Sequence, residues 1–289
     1  MKLKFSELKK EKIIIFFLKA LRAFILFGLM FVILLPFLEV FINSIKSSSD
    51  KVTPNVYWIP ENPTLNNIIS TYRQLTSQNA FFNSLVLSAT TAICQVISCS
   101  IYGYAFGKLK FKGSSIFFWI IIFSLFIPMQ SLNTARTLFY SNTYFFGLKL
   151  IGSKYSIFLM TLFGMGYLSP IFIYIFRQYF KSIPNDILEQ AQIDGAGVLR
   201  SFWQIMLPNA RGAIVTTGII TFVWTYNDYY FPALFNFSNN NIVLLSTKLS
   251  SGRFRNPSTI ALMMIIPLLI VYIILQKHLI DSIKKTAIC

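Results

Sequence analysis

Six long apolar runs, separated by short segments that carry most of the charge, restrict the fold of this chain more than any other feature. They lie at about 22–45, 82–107, 115–138, 155–177, 210–232 and 257–280. A helix needs about 20 apolar residues to cross a bilayer, where every backbone polar group has to be paired within the protein. Only 12% of the residues are charged, about half the share in a soluble domain. The sequence therefore predicts an all-α membrane protein with six transmembrane helices.

The basic residues predict the orientation in the membrane. The formal net charge is +16, but the 26 Lys and Arg residues are spread over the gaps between apolar runs, which argues against a nucleic-acid partner. A cytoplasmic N-terminus places most of them on the cytoplasmic side, as the positive-inside rule requires. The first run is too long for a cleaved signal peptide. We therefore expect a multi-pass protein of a bacterial inner membrane with both termini cytoplasmic: a basic N-terminal segment 1–21, a membrane domain 22–281 and a tail 282–289.

Side chains that could perform chemistry are scarce. His278 is the only histidine, and Cys94, Cys99 and Cys289 lack the spacing of metal ligands. An intramembrane enzyme needs a nucleophile with a base, or a metal triad, within its helices. We therefore expect no catalytic residue, bound metal or cofactor. The phosphate-binding pattern G-x-x-x-x-G-K-[ST] is also absent, so ATP would have to be bound by another chain.

An ion-coupled secondary transporter is the alternative function. Such proteins carry acidic or histidine side chains near the middle of the membrane. Glu39 and Asp228 instead lie toward the outer ends of their predicted helices, which disfavours this alternative.

Two of the apolar runs contain small residues or a proline. Cys99, Gly103 and Gly107 recur every four positions in the second run, which favours close approach of another helix over a role in lining a pathway. Pro170 predicts a kink in the fourth run because proline removes a backbone donor.

The predicted cytoplasmic loop 183–208 contains a short amphipathic helix. Pro184 suits the first helical position, and Gly195 can turn the chain without a Cβ penalty. An apolar strip is formed by Ile187, Leu188 and Ala191. Two helical turns are unstable alone in water, so the strip has to bind a groove in a partner or the protein's own helices. The residues alone leave both interpretations open.

The spacing within this loop is similar to the EAA loop of binding-protein-dependent ABC importer permeases. The pattern is E-x-A-x-x-D-G-A, then eight residues, then I-x-L-P. The matching residues are Glu189, Ala191, Asp194, Gly195, Ala196, Ile205, Leu207 and Pro208. Gln190 stands where the family usually has alanine. The segments 82–85, 104–113 and 226–228 resemble carbohydrate-type permeases, specifically the smaller permease of the maltose and glycerol-phosphate group.

The resemblance implies the type I ABC importer permease fold and a coupling mechanism. The helix at about 185–195 would seat in a cleft of a separate ATPase dimer, and a second homologous permease would complete the pathway. An extracellular or periplasmic solute-binding protein would deliver a sugar or sugar-like solute. The coupling residues would be Ile187, Leu188 and the eight matching residues. Tyr226, Asn227, Asp228 and Tyr229 have the chemistry for a place in the translocation pathway.

Overall fold

The structure, a computed structural model, describes residues 2–145, 148–235, 242–250 and 256–287. Its helices are α1 (Lys2–Ile45), α2 (Asn66–Ser77), α3 (Ala80–Lys108), α4 (Ser114–Phe123), α5 (Asn133–Asn142), α6 (Tyr155–Leu162), α7 (Ser169–Ser182), α8 (Asn185–Ile193), α9 (Val198–Ser201), α10 (Leu207–Asn209), α11 (Arg211–Asn227), α12 (Tyr230–Leu234), α13 (Leu245–Ser250) and α14 (Pro257–Ala287). Short 3₁₀ turns occupy Ser124–Phe126 and Met129–Leu132, and a π-helical turn occupies Phe202–Met206. Strands β1 (Tyr144–Phe145) and β2 (Leu148–Lys149) form one small antiparallel pair.

The predicted all-α membrane fold is confirmed. Within the described residues, three helical stretches are long and apolar enough to cross a membrane: Ile14–Ile45, Ala80–Lys108 and Pro257–Ile274. The count is up to five if each of two bent helix pairs forms one span. These pairs are Ser114–Phe126 with Gln130–Asn142, bent by 100°, and Val198–Asn209 with Arg211–Asn227, bent by 79°. Helix α1 starts at Lys2 and has no break near residue 21, so the predicted boundary between the basic segment and the first span is not a helix end.

Three of the six predicted spans are interrupted. The run 210–232 is broken at Asp228 and Tyr229, between α11 and α12. The run 115–138 is broken next to Pro128, which has extended rather than helical backbone angles. The run 155–177 is divided between α6 and α7, and Gly164 and Leu168 between them have positive φ angles of 72° and 55°. Pro170 lies in the first turn of α7, where its missing N–H costs nothing. The predicted interruption exists, but the chain breaks before Pro170 and not at it.

The described residues form two units, one of residues 2–72 with 256–263 and the other of residues 73–250 with 264–287. In the first unit, the segment after α1 is tied back by polar contacts. Asn67 donates hydrogen bonds to the carbonyl oxygens of Lys46 (2.7 Å) and Ser44 (3.2 Å). Asp50 accepts the Asn62 backbone N–H at 3.0 Å, and this hydrogen bond lowers the pKa of the Asp50 carboxyl. The sequence analysis did not predict the helix α2 in this segment.

In the second unit, α3 is the central helix and packs against α6, α7 and α11. Gly103 allows the close approach of α7, since a Cβ there would collide with Phe176 Cβ and lie 3.0 Å from the Arg177 nitrogen. Gly107 faces the next turn of α7 in the same way, with Phe180 Cβ 3.4 Å from a Cβ built at this position. The small-residue interval in the second apolar run therefore serves helix packing, as the sequence predicted.

Candidate functional site

The loop helix α8 ends in a well-formed cap. Pro184 precedes it as the N-cap residue, one position earlier than predicted. At the other end, Gly195 has a φ of 79° and donates its N–H to Gln192 O at 3.0 Å, while the Ala196 N–H reaches Ala191 O at 2.8 Å. This pair of hydrogen bonds is a Schellman motif, in which a residue with positive φ satisfies the last helical carbonyls. The Asp-Gly-Ala triplet of the sequence pattern therefore forms the end of α8.

One face of α8 packs on the protein's own core. Leu188 and Ala191 are buried, with 8% and 7% exposure, whereas Ile187 beside them is exposed. The predicted apolar strip is therefore divided between a buried and an exposed face of the helix. Leu188 joins a core cluster that also contains Tyr104 of α3, Phe180 of α7 and Phe202 of the following segment. The aromatic members are in contact: the ring centroid of Tyr104 is 5.9 Å from that of Phe180 and 5.3 Å from that of Phe202.

Lys108 ties the end of α3 to the start of α8. Its Nζ donates to the Ile183 carbonyl oxygen and to Asn185 Oδ1, both at 2.6 Å. Ile183 caps the C-terminus of α7, and Asn185 is the first residue of α8. A single ammonium group therefore joins three helices at the place where the chain enters the loop.

The other face of α8 and of the segment after it carries exposed apolar side chains. Ile193 is 85% exposed and Leu199 is 75% exposed, and Ile187, Val198 and Trp203 are also exposed. Among the predicted coupling residues, Glu189, Asp194, Gly195 and Pro208 are exposed, Ala196 is half-buried, and Ile205 and Leu207 pack partly against the core. The sequence interpretation missed Ile193 and Leu199. Their exposure depends on which face of the loop the core covers, and the spacing alone does not show it.

The segment after α9 changes its helical geometry before it reaches α11. Residues Phe202–Met206 form a π-helical turn, and the Leu207 N–H donates to Phe202 O five residues back. Pro208 follows in the first turn of α10. The side chain of Asn209 donates to the Ile205 carbonyl at 2.7 Å. The 79° bend into α11 follows at Ala210, between Asn209 and Arg211, where the backbone angles (φ −91°, ψ 26°) leave the helical range.

A second candidate site is a cavity of about 570 Å³ in the same unit, between α3, α6 and α11. Three of the four predicted pathway residues line it: Asn227, Asp228 and Tyr229. Tyr226 does not, because its side chain is buried and lies 5.9 Å, centroid to centroid, from the ring of Phe222. A place for these four residues in the translocation pathway stays a prediction.

Asp228 shapes the rim of this cavity through the backbone. It follows the last residue of α11, and its Oδ1 accepts the Tyr230 N–H at 2.8 Å, which starts α12. Its carbonyl oxygen accepts a hydrogen bond from Ser246 Oγ of α13 at 2.7 Å. The hydroxyl group of Tyr230 bonds to Asn133 Oδ1 of α5. Asp228 thus holds three helix ends in place.

Other residues of the cavity wall were missed by the sequence interpretation. Thr91 and Gln95 of α3 and Thr221 of α11 line the cavity, and all three are buried. The ring of Trp224 meets that of Tyr167 edge-on, with the centroids 4.8 Å apart, and both also line the cavity. The break between α6 and α7 belongs to the wall, because any side chain at Gly166 would collide with Gln95 Oε1.

The fold and the two sites together define a membrane transport protein. The described residues contain several apolar helices, a cavity between helices that has some polar side chains in its wall, and a capped helix on a loop. In the part of the chain that the structure describes, no group of three His, Cys, Asp or Glu residues could hold a metal ion. The fold is similar to that in the crystal structure of a bacterial ABC transporter involved in the import of the acidic polysaccharide alginate. The TM-score is 0.68 and the identity 21%, and the match covers 89% of this chain and 95% of that one.

The chain belongs to the family of binding-protein-dependent transport system inner membrane components, which matches residues 99–285. It is 26% identical over 199 residues to a probable starch degradation products transport system permease protein, AmyC, of Thermoanaerobacterium thermosulfurigenes, covering 69% of each chain. It is 29% identical over 153 residues to the sn-glycerol-3-phosphate transport system permease protein UgpE of Yersinia enterocolitica, covering 53% of this chain and 51% of that protein. The match to UgpE thus spans about half of that relative's length. The family is one of transport permeases, not enzymes, and no observation supports the ion-coupled alternative.

Proposed function

We propose that this chain is the permease subunit of an ATP-driven importer for a sugar or sugar-like solute and forms half of the translocation pathway. A second homologous permease completes the pathway, an ATPase dimer hydrolyses ATP, and an extracellular or periplasmic binding protein delivers the solute. Both termini are cytoplasmic. Residues 1–21 form a basic segment, residues 22–281 the permease domain and residues 282–289 a tail. Family membership and the solutes in the names of the similar permeases support this proposal.

The observation that carries the proposal is that one face of α8 is buried in the protein's own core and the other face is exposed. Its buried face, with Leu188, is continuous with the aromatic cluster of α3 and α7. Its other face and the segment after it present Ile193 and Leu199 to the surroundings. Exposed apolar side chains outside the predicted spans are costly in water and are typical of a surface that binds another protein. A helix seated in this way transmits force from a bound ATPase into the membrane domain.

Two variants test whether this surface binds the ATPase. Ile193→Glu places a charge on the proposed coupling surface. Val52→Glu is the matched control, because Val52 is 80% exposed and Ile193 is 85% exposed, and Val52 lies in the predicted outer loop. We expect Ile193→Glu to release the ATPase from the complex purified in detergent and to abolish ATP-dependent uptake into proteoliposomes. Val52→Glu should retain the ATPase. Equal retention of the ATPase by the two variants would contradict the proposal.

A further inference from the structure

The guanidinium group of Arg177 is held in a fixed position near the end of α7. Its Nε–H donates to the carbonyl oxygen of Phe106 at 3.2 Å, and Phe106 belongs to the last turn of α3. Its central carbon lies 4.0 Å from the centroid of the Phe118 ring, and a cation this close to an aromatic face is attracted to the ring. One hydrogen bond and one ring contact therefore fix the plane of the guanidinium group.

The two Nη amino groups of Arg177 remain available. Neither makes a hydrogen bond with the described residues. Neither is enclosed by the protein, unlike Nη1 of Arg136, which is buried. No acidic residue occurs between Glu61 and Asp186, so this stretch supplies no carboxylate for Arg177. The outer edge of the planar guanidinium group is thus open, and it fits two oxygen atoms of a phosphate group.

Two lysines lie at the same end of this unit. Lys181 follows Arg177 by four residues, so the two share one face of α7, and Lys181 is exposed. Lys112 is also exposed and lies in the loop between α3 and α4. This loop stays close to Arg177, because the ring of the neighbouring Phe111 lies 5.8 Å, centroid to centroid, from that of Phe106. We call Lys112, Arg177 and Lys181 the basic patch.

An exposed aromatic surface adjoins the basic patch. The ring of Phe118 is stacked with that of Tyr174, with the centroids 6.4 Å apart, and its centroid lies 5.9 Å from that of Trp119. Phe118 is buried, whereas Tyr174 and Trp119 are 44% and 53% exposed. Tyr174 lies one turn before Arg177 on α7, toward the interior of the predicted span 155–177. Tyrosine and tryptophan are typical of the boundary between the hydrocarbon core and the headgroups of a bilayer.

The basic patch and the aromatic surface together fit a phospholipid. The cations favour an anionic group, and the exposed rings favour an apolar part of the same molecule. An anionic phospholipid has both parts, joined by its glycerol backbone, and it surrounds the membrane-spanning helices. Free phosphate has no apolar part and would leave the aromatic surface uncovered.

We propose that Arg177 and Lys181 bind the phosphate group of an anionic phospholipid whose acyl chains lie against Tyr174 and Trp119, with Lys112 adding to the attraction. The proposal goes beyond the proposed function, because it depends neither on the solute nor on the ATPase. With both termini cytoplasmic, as proposed above, the lipid lies in the cytoplasmic leaflet. It contacts α4 and α7 at the place where Arg177 also contacts α3.

Native mass spectrometry of the full-length chain in detergent tests this site. The probes are dioleoyl phosphatidylglycerol and dioleoyl phosphatidylcholine, which share their acyl chains and differ in headgroup charge. We expect the wild type to bind phosphatidylglycerol more tightly than phosphatidylcholine. Lys181→Gln and Arg177→Gln should each weaken the binding of phosphatidylglycerol about 5-fold or more, since each basic residue near an anionic membrane surface contributes about this factor.

Arg200→Gln is the matched control. It removes the same charge from α9, where the Arg200 Nε–H donates to Gln204 instead, and it should bind phosphatidylglycerol as the wild type does. Lys181→Gln separates binding from folding, because Lys181 has no hydrogen bond to a described residue to lose. Without added lipid its melting temperature should equal that of the wild type. Phosphatidylglycerol should raise the melting temperature of the wild type more than that of Lys181→Gln.

Three results would overturn the proposal. The first is equal affinity of the wild type for the two lipids. The second is an equal loss of phosphatidylglycerol affinity in Lys181→Gln and Arg200→Gln, which would show that only the net charge of the chain matters. The third is displacement of the lipid by an equal concentration of inorganic phosphate, which would indicate a site for a free anion.

Discussion

Substitution of Gly195 by alanine should loosen the end of α8 by an amount that the backbone geometry sets. The φ angle of Gly195 is 79°, and a Cβ at this position would meet no atom within 4 Å. A steric collision with other side chains therefore cannot destabilise the alanine variant. Only the free-energy cost of the left-handed backbone conformation remains. For a residue with a Cβ this cost is about 1–2 kcal/mol. Such a free energy raises the population of the frayed helix end about 5- to 30-fold.

Gly197 provides the matched control for this experiment. A Cβ there also meets no atom within 4 Å, but its φ is −71° and its ψ is 170°, which alanine adopts freely. Gly197→Ala should therefore be neutral or stabilise by about 0.4–1 kcal/mol through the unfolded state. The two variants add the same methyl group two residues apart and differ in the backbone conformation that they require.

Hydrogen exchange followed by mass spectrometry measures the effect where it arises. The N–H groups of Gly195 and Ala196 donate to the carbonyls of Gln192 and Ala191, so their exchange reports opening of the cap. We expect exchange about 5- to 30-fold faster in Gly195→Ala than in wild type, together with reduced ATP-dependent uptake by the intact transporter. Gly197→Ala should leave both unchanged or slow the exchange. The reasoning is refuted if the two variants exchange at the same rate.

Three further predictions concern other contacts. Gly103→Ala should destabilise the purified protein by about 1–3 kcal/mol in a thermal unfolding assay, since its Cβ would collide with Phe176 Cβ. Gly218→Ala, whose Cβ would lie 3.7 Å from Val96, should be tolerated. Equal melting temperatures of the two variants would contradict this prediction. Lys108→Met should lower the amount of solute taken up per ATP hydrolysed, because it removes two hydrogen bonds to the loop. Lys110→Met, at an exposed position, should leave this ratio unchanged. Equal ratios in the two variants would exclude a role of the Lys108 hydrogen bonds in coupling. The Asn62 N–H lowers the pKa of the Asp50 carboxyl, so the stabilisation by Asp50 is present above its unfolded pKa of about 4 and is lost as the pH falls through its folded pKa. Asp50→Asn should therefore remove this part of the dependence of thermal stability on acid pH. If the acid titration of thermal stability is the same in the variant and the wild type, the prediction is wrong.

Local sequence signals predicted the helices and caps that depend on neighbouring residues. Helix α3, at Ala80–Lys108, agrees closely with the predicted run 82–107, because run length and flanking lysines are local properties. The end of α8 was predicted from Gly195, since a glycine after an amphipathic segment needs only its own positive φ to end the helix. The strand pair and α2 were missed, because neither contains an apolar run.

The cavity wall could not be predicted, because it depends on how three helices meet. Thr91 and Gln95 lie on α3 among many small and hydroxyl residues, and the face that they share becomes a wall only where α6 ends early and leaves space beside it. That break follows from Gly164 and Leu168, whose positive φ angles do not show in the sequence. The position of Tyr226 away from the cavity wall could not be predicted for the same reason: consecutive residues at the end of a helix point in different directions, and packing decides which one is buried.

The two sites are joined by one rigid element. Helix α3 carries Thr91 and Gln95 in the cavity wall and Tyr104 in the cluster that buries Leu188 of α8. Thirteen residues separate Thr91 from Tyr104, which is about 20 Å along the helix axis. Gly103 and Gly107 let α7 lie directly against α3, so the buried face of α8 rests on two helices that are in close contact with each other. If α8 binds an ATPase, as we propose, a displacement of α8 would act first on this contact between α3 and α7.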